Sequence, residues 1–306
     1  MQKLRATAFV CGLTFLPLIS PCQTTPTPQQ GMQMCITGGA SGNVPGCPAT
    51  SEPASVAGTQ LDMAAREKLM REARQSYYNL PTRGLREFSC QVLPDWDVMY
   101  NSKRQKVDGV ERDQFLPVLR KVRFRVLVGA TGAATMSHQS DAAASSQAVA
   151  ARVRESTRGI DLLVTGFFQT WSSFAFGSLF PEAGGSFQVV EAGNKYRLTH
   201  KGKGASTDVL IVMNKDLTIE HAKVESSTAD ASMDPIFTAT KEGLLLTNYG
   251  GKVSMLDRVW DTSGKISYQT VGGYQLPHIV NAMLIVPGGQ QLPLVVTFAN
   301  CQVKGQ

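Results

Sequence analysis

The stretch from Gly185 to Val303 constrains most strongly how this 306-residue chain folds. It is a run of short strand patterns separated by turn signals, and no helix-length segment interrupts it. Tyr196 and Leu198 alternate with Lys195, Arg197 and Thr199. Ile266 and Tyr268 alternate with Lys265, Ser267 and Gln269, and Val296 and Phe298 with Thr297 and Ala299. A half-buried strand has this period of two, because successive side chains point to opposite faces. Val209 to Met213 and Leu244 to Leu246 are apolar without alternation, which predicts strands covered on both faces. Gly193-Asn194, Asn214-Lys215-Asp216, Gly250-Gly251, Ser263-Gly264 and Gly288-Gly289 read as hairpin turns between the strands, and Gly272-Gly273 as a further turn. Strands that follow one another this closely pair antiparallel. A meander of this length must curl or close to protect its edges. The expectation is a mainly β chain with some α (α+β), built on one curled antiparallel sheet or half-open barrel.

Upstream, Asp62 to Tyr78 is an amphipathic helix. Leu61, Ala65, Leu69, Ala73 and Tyr77 recur every four residues, Thr59 or Asp62 serves as cap, and Pro81 stops it. Leu85 to Val92 reads as a strand with Phe88, Cys90 and Val92 on one side. Lys121 to Val128 is another, with Val122, Phe124, Val126 and Val128 together. Between them, helix is expected around Val110–Leu119, weakened by Pro117. Ala142 to Ser156 is Ala-rich and helix-prone, and Gly159 is read as its break. Ile160 to Phe180 follows helical spacing and is apolar nearly all round. It is long enough to span a membrane, but Asp161, Gln169 and its Ser, Thr and Gly content favour a buried helix seated on the concave face of the sheet.

The N-terminus predicts export. Met1 to Cys22 has a basic start and an apolar core from Ala8 to Ile19, the form of a secretory signal. Three outcomes stay open: cleavage after Cys22; lipidation of Cys22, since Ile19-Ser20-Pro21-Cys22 resembles a bacterial lipobox apart from Pro21; or an uncleaved anchor. Residues 23–59, rich in Thr, Pro, Gln, Gly and Ser, read as a tether. Residues 60–306 then form a single domain. The net charge of +6 falls to +4 without Lys3 and Arg5, and the remaining basic residues are scattered. They carry no aromatic-interleaved patch, so nucleic acid is not an expected partner.

Cys35, Cys47, Cys90 and Cys301 remain after either cleavage, an even set in an oxidising compartment. Cys35 and Cys47 lie close together in the tether and suit a local staple better than a metal site, since neither a Cys-x-x-Cys nor a nearby His accompanies them. Cys90 and Cys301 fall in the first and last strands of the domain. A barrel that closes, or nearly closes, pairs them.

Signatures of chemistry are missing from the sequence. It lacks His-Glu-x-x-His, a P-loop, Gly-x-Ser-x-Gly and Gly-x-Gly-x-x-Gly. His138, His200, His221 and His278 have no second His or Cys at ligand spacing. Asp95-Trp96-Asp97 reads as a loop with no partner in view. No enzyme activity, metal or cofactor is expected.

An amphipathic N-terminal helix, a first strand, an apolar helical insertion and a long meander together resemble the LolA/LolB lipoprotein-carrier superfamily. Gly273 to Val280 with its Leu276-Pro277 start, followed by the alternating strand Leu294 to Asn300, is similar to that superfamily's closing strand pair. The resemblance covers about Leu61–Val303. It implies a half-open barrel with helices across its mouth and acyl-chain binding in an apolar cavity. The function expected is therefore an extracytoplasmic, non-enzymatic carrier or sensor of a lipid-like ligand, with lipid or lipoprotein acyl chains as partners and association with the envelope membrane. Phe167, Phe168, Trp171 and Phe174 are the residues expected to line its cavity. The alternative is an envelope-associated structural protein in which this helix only fills the core.

Overall fold

The computed structural model describes residues 58–100, 106–107, 110–140, 143–177, 179–181, 184–202, 207–227, 229–255, 258–289 and 291–305. The expected signal segment, most of the tether, Cys22, Cys35 and Cys47 lie outside these residues. The elements in chain order are β1 (Thr59–Gln60), α1 (Met63–Ser76), β2 (Leu85–Pro94), α2 (Trp96–Met99), β3 (Lys106–Val107), β4 (Val110–Glu111), α3 (Arg112–Leu119), β5 (Arg123–Val128), β6 (Ala134–Gln139) and α4 (Gln147–Ala175). The meander follows as β7 (Phe187–Ala192), β8 (Lys195–Lys201), β9 (Asp208–Asn214), β10 (Ile219–Glu225), β11 (Ala229–Thr240), β12 (Gly243–Met255), β13 (Arg258–Val271), β14 (Tyr274–Ile285) and β15 (Gln291–Gly305).

Thirteen of these strands form one antiparallel sheet in the order β1-β7-β8-β9-β10-β11-β12-β13-β14-β15-β2-β5-β6. The sheet is curled and does not close, because its edges β1 and β6 do not pair with each other. The N-terminal strands β2 and β5 therefore extend the meander past its last strand. Thr59, assigned to the end of the tether, is already paired with Glu191.

Asp62 caps α1 by accepting from the Ala65 amide at 2.8 Å, and the helix buries Leu69, Met70 and Ala73. The chain leaves it through Tyr77, whose hydroxyl donates to the Leu217 carbonyl and accepts from the Ile219 amide, both at 2.8 Å. Leu217 sits in the β9–β10 turn at φ 69°, a left-handed conformation that costs a branched residue about 1–3 kcal/mol. The Tyr77 hydroxyl braces the backbone on both sides of that strain.

Several expectations need correction. Val209, Ile211 and Met213 are buried, while Leu210 and Val212 are half-buried on the outer face, where their cross-strand neighbours include Lys223 and Arg197. β9 therefore alternates. Gly250-Gly251 and Ser263-Gly264 are not turns but lie inside β12 and β13. Gly159 does not end a helix: α4 runs unbroken through it. A Cβ at that position would meet nothing within 4 Å. The apolar stripe continues through Val149, Ile160 and Val164, and its burial outweighs the ~1 kcal/mol helix cost of glycine. The helix is not covered on every side either, since Leu162 is exposed. β6, polar and without alternation, is a strand the sequence pattern did not reveal. Asp95-Trp96-Asp97 is no loop: Asp95 caps α2, and Asp97 bridges Arg112 at 2.6 Å and Arg120 at 2.8 Å.

The Cys90–Cys301 disulfide is present, joining β2 to β15 across a sequence separation of 211. Ala299 pairs with Gln91 and Gln302 with Ser89, so Asn300 and Cys301 together face Cys90. This is a β-bulge with Asn300 at φ 50°, a conformation asparagine tolerates better than most residues.

Candidate functional site

Cross-strand partners point to the same face of a sheet, so the register identifies the inner wall. One inner row runs Val189, Leu198, Ile211, Ala222, Met233 and continues Gly251, Thr262, Leu284, Leu292. The side chains in it are fully buried up to Ile211, and beyond it Ala222, Gly251 and Thr262 are small, with Met233 the one large side chain among them. Neighbouring inner positions are also small, with Ala231 opposite Val224 and Gly264 opposite Ala282. The wall thus recedes from the helix where β10 to β14 carry small residues.

The space left is a cavity of about 1390 Å³ between this wall and α4. Leu163, Gly166, Phe167 and Thr170 line it from the helix. Ala222, Ala231, Tyr249, Ala282, Leu284 and Leu294 line it from the sheet. The β5–β6 turn closes one side. There the Ser172 hydroxyl donates to the Gly132 carbonyl at 2.8 Å, and a Cβ on Gly132 would fall 2.6 Å from the Ser172 Cβ. Only glycine lets this turn reach the helix at its φ of 81°.

A sealed, dry void of this size would cost on the order of 30 kcal/mol at about 24 cal/mol per Å³. A domain's whole stability is only about 5–15 kcal/mol. The space is therefore one that solvent or a ligand fills. It exceeds the roughly 300–1,000 Å³ typical of small-molecule sites.

The four aromatic residues singled out on the helix divide. Phe168 and Trp171 turn into the core, where both meet the Phe88 ring and Phe168 also meets Phe298. Trp171 donates its indole N–H to the Tyr268 oxygen at 3.0 Å. Phe174 packs on Phe237, which in turn meets Tyr77. Only Phe167 lines the cavity, stacked on Phe298 along its other side. The sequence reading missed the alanines and glycines of the inner wall. Their signal was the spacing Ala229-x-Ala231-x-Met233, visible only once the facing strands are known.

The cavity is polar at one side. Arg74 of α1 lines it and donates to the Pro181 carbonyl. His200 of β8 lines it, its Nε2 3.1 Å from the Leu179 carbonyl and its Nδ1 2.9 Å from the Lys201 carbonyl. Lys201, at the same side, pairs with Asp208 at 2.5 Å. No aspartate or glutamate lines the cavity among the described residues. Burial pushes the Tyr249 phenol up to about 12, so it stays protonated at neutral pH.

Among the described residues, no group of three His, Cys, Asp or Glu is placed to hold a metal ion, and no helix is long and apolar enough to cross a membrane. No family model, curated protein or solved structure matches the chain.

Proposed function

We propose that this protein is a non-enzymatic carrier or sensor that holds a lipid-like ligand in the cavity between α4 and the curled sheet, outside the cytoplasm. The cavity carries this reading. Its wall is set back by alanines and glycines at inner positions where a filled core would place Leu, Ile or Phe. The LolA/LolB-like half-barrel expected from the sequence is an architecture suited to such a ligand, and acyl chains fit the lining of Leu163, Phe167, Leu284 and Leu294. The burial of Phe168, Trp171 and Phe174 favours the structural alternative for the other part of the helix, so the two readings differ on the cavity alone.

The test is to fill it. Ala231→Phe and Ala282→Phe place rings into the space from two strands. Native mass spectrometry of the purified protein should reveal co-purified lipid. After delipidation the wild type should bind Nile red, and both variants should lose that binding at a stability cost below the ~1–3 kcal/mol of overpacking a filled core. A delipidated wild type that binds no apolar probe would leave the structural reading standing.

A further inference from the structure

We infer that the ligand is an anionic amphiphile, whose carboxylate or phosphate head lies against Arg74 and His200 and whose chain runs toward β14 and β15. This rests on the carrier reading and adds a polarity to it. The cavity has two unlike ends. At the β12–β15 end its lining is mostly apolar, with Val253, Ala282, Leu284, Leu292 and Leu294, and its polar groups, the Thr262 hydroxyl and the Tyr249 phenol, carry no charge. At the β8–β9 end, with β10 and β11 between, it includes Arg74 of α1, His200, Lys201 and Thr207. These include the cations of the lining, and among the described residues no carboxylate lines the cavity beside them, Asp208 meeting Lys201 from outside the lining.

The three basic groups are not equivalent. Lys201 is exposed and already paired with Asp208, so it adds little net charge. Arg74 is half-buried and its described bond is to the uncharged Pro181 carbonyl, which satisfies one of its five N–H donors without neutralising the charge. A guanidinium placed beside an apolar chamber binds an anion through charge-assisted hydrogen bonds, stronger than those a neutral head group makes. An uncharged amphiphile would desolvate the Arg74 side of the cavity and offer no charge in return.

Three ligands with one chain and different heads separate the possibilities: palmitate, hexadecyl phosphate and hexadecanol. Each displaces Nile red from the delipidated full chain. At least one of the two anions should displace it at about tenfold lower concentration than the alcohol. Preference for palmitate assigns a carboxylate head, as in a free fatty acid; preference for hexadecyl phosphate assigns a phosphate head, as in a phospholipid. Arg74→Gln should bring anion and alcohol to within about threefold, chiefly by weakening displacement by the anion. Should that variant fail to fold by circular dichroism, Arg74→Met, which keeps the apolar stem and removes the charge, reads the same preference. Equal displacement by anion and alcohol in the wild type would overturn the inference and keep the carrier reading. So would a preference that survives in the folded variants. Displacement by none of the three, with Nile red itself unbound, would overturn both.

Discussion

Trp171 and Tyr268 join helix α4 to the sheet through an indole N–H held 3.0 Å from the phenol oxygen, and the Tyr268 hydroxyl donates in turn to the Leu246 carbonyl. Burial holds the Tyr268 phenol well above its ordinary range, so it remains a donor at neutral pH. Trp171→Ala should cost about 3–5 kcal/mol, the range for a fully buried large aromatic. Trp171→Phe keeps most of the packing and forfeits the hydrogen bond, about 1 kcal/mol. Neither atom of this pair lines the cavity, so Trp171→Phe should bind Nile red as the wild type does. Urea denaturation and probe titration on the same variants check both statements. A large loss of binding without loss of stability would put Trp171 in the ligand site instead.

The disulfide holds the strands that the meander alone would leave as neighbours without a covalent tie. Its 211-residue separation gives, on the chain-entropy account, a contribution of roughly 5 kcal/mol. Cys90→Ser with Cys301→Ser should lower stability by about that amount. Asn300→Gly keeps the left-handed backbone and loses only an exposed side-chain hydrogen bond to Gln91, so it should cost well under about 1 kcal/mol, whereas Asn300→Val should cost about 1–3 kcal/mol. Equal stability of the glycine and valine variants would show that the bulge relaxes.

What the sequence made legible follows from what strand patterning encodes. Phe124, Val126 and Val128 alternate with charged or exposed residues, so their face could be assigned without the fold. The Cys90–Cys301 pair could be placed from the position of each cysteine in an early and a late strand, although those strands meet by direct pairing of β2 with β15 in the open sheet rather than by closure. Phe167 and Phe174 could not be sorted. Helical spacing says which residues share a side, not which side the sheet fills and which it leaves open. The cavity was hidden for a related reason. It is made by what is small on the inner wall, and Ala222, Gly251 and Thr262 become one surface only through a register that spans several hairpins. Gly250-Gly251 and Ser263-Gly264 were misread because glycine marks a turn and a close backbone approach with the same letter.

Asp97 offers a pH test of the α2–α3 connection. The Arg120 hydrogen bond, with Arg112 beside it, holds the Asp97 carboxyl below the usual carboxylate range. A folded value below the unfolded one stabilises above an unfolded pKa of about 4, and that contribution disappears as pH falls through the folded value. The difference in melting temperature between wild type and Asp97→Asn should therefore be widest near neutral pH, narrow below about pH 4 and vanish in stronger acid. A difference that persists unchanged into acid would mean that the variant acts through the α2 backbone rather than through the ion pairs.

Gly264 and Tyr249 face each other across β12 and β13, and the tyrosine ring occupies the place where a side chain at 264 would stand. A Cβ on Gly264 would fall 2.4 Å from a ring carbon of Tyr249, closer than real Cβ contacts come. In an ordinary strand, Gly→Ala is neutral or stabilising, because glycine weakens strands. Here the ring must move, and the adjacent space is the cavity that Tyr249 already lines. Gly264→Ala should therefore destabilise by about 1–3 kcal/mol and also weaken Nile red binding. In a Tyr249→Ala background the same substitution has nothing to displace, and its cost should fall to near zero or change sign. The double-mutant cycle isolates that coupling. If Gly264→Ala costs the same with and without the ring, the glycine is there for its backbone. If the coupling appears in stability and binding together, Tyr249 forms a movable wall of the ligand cavity.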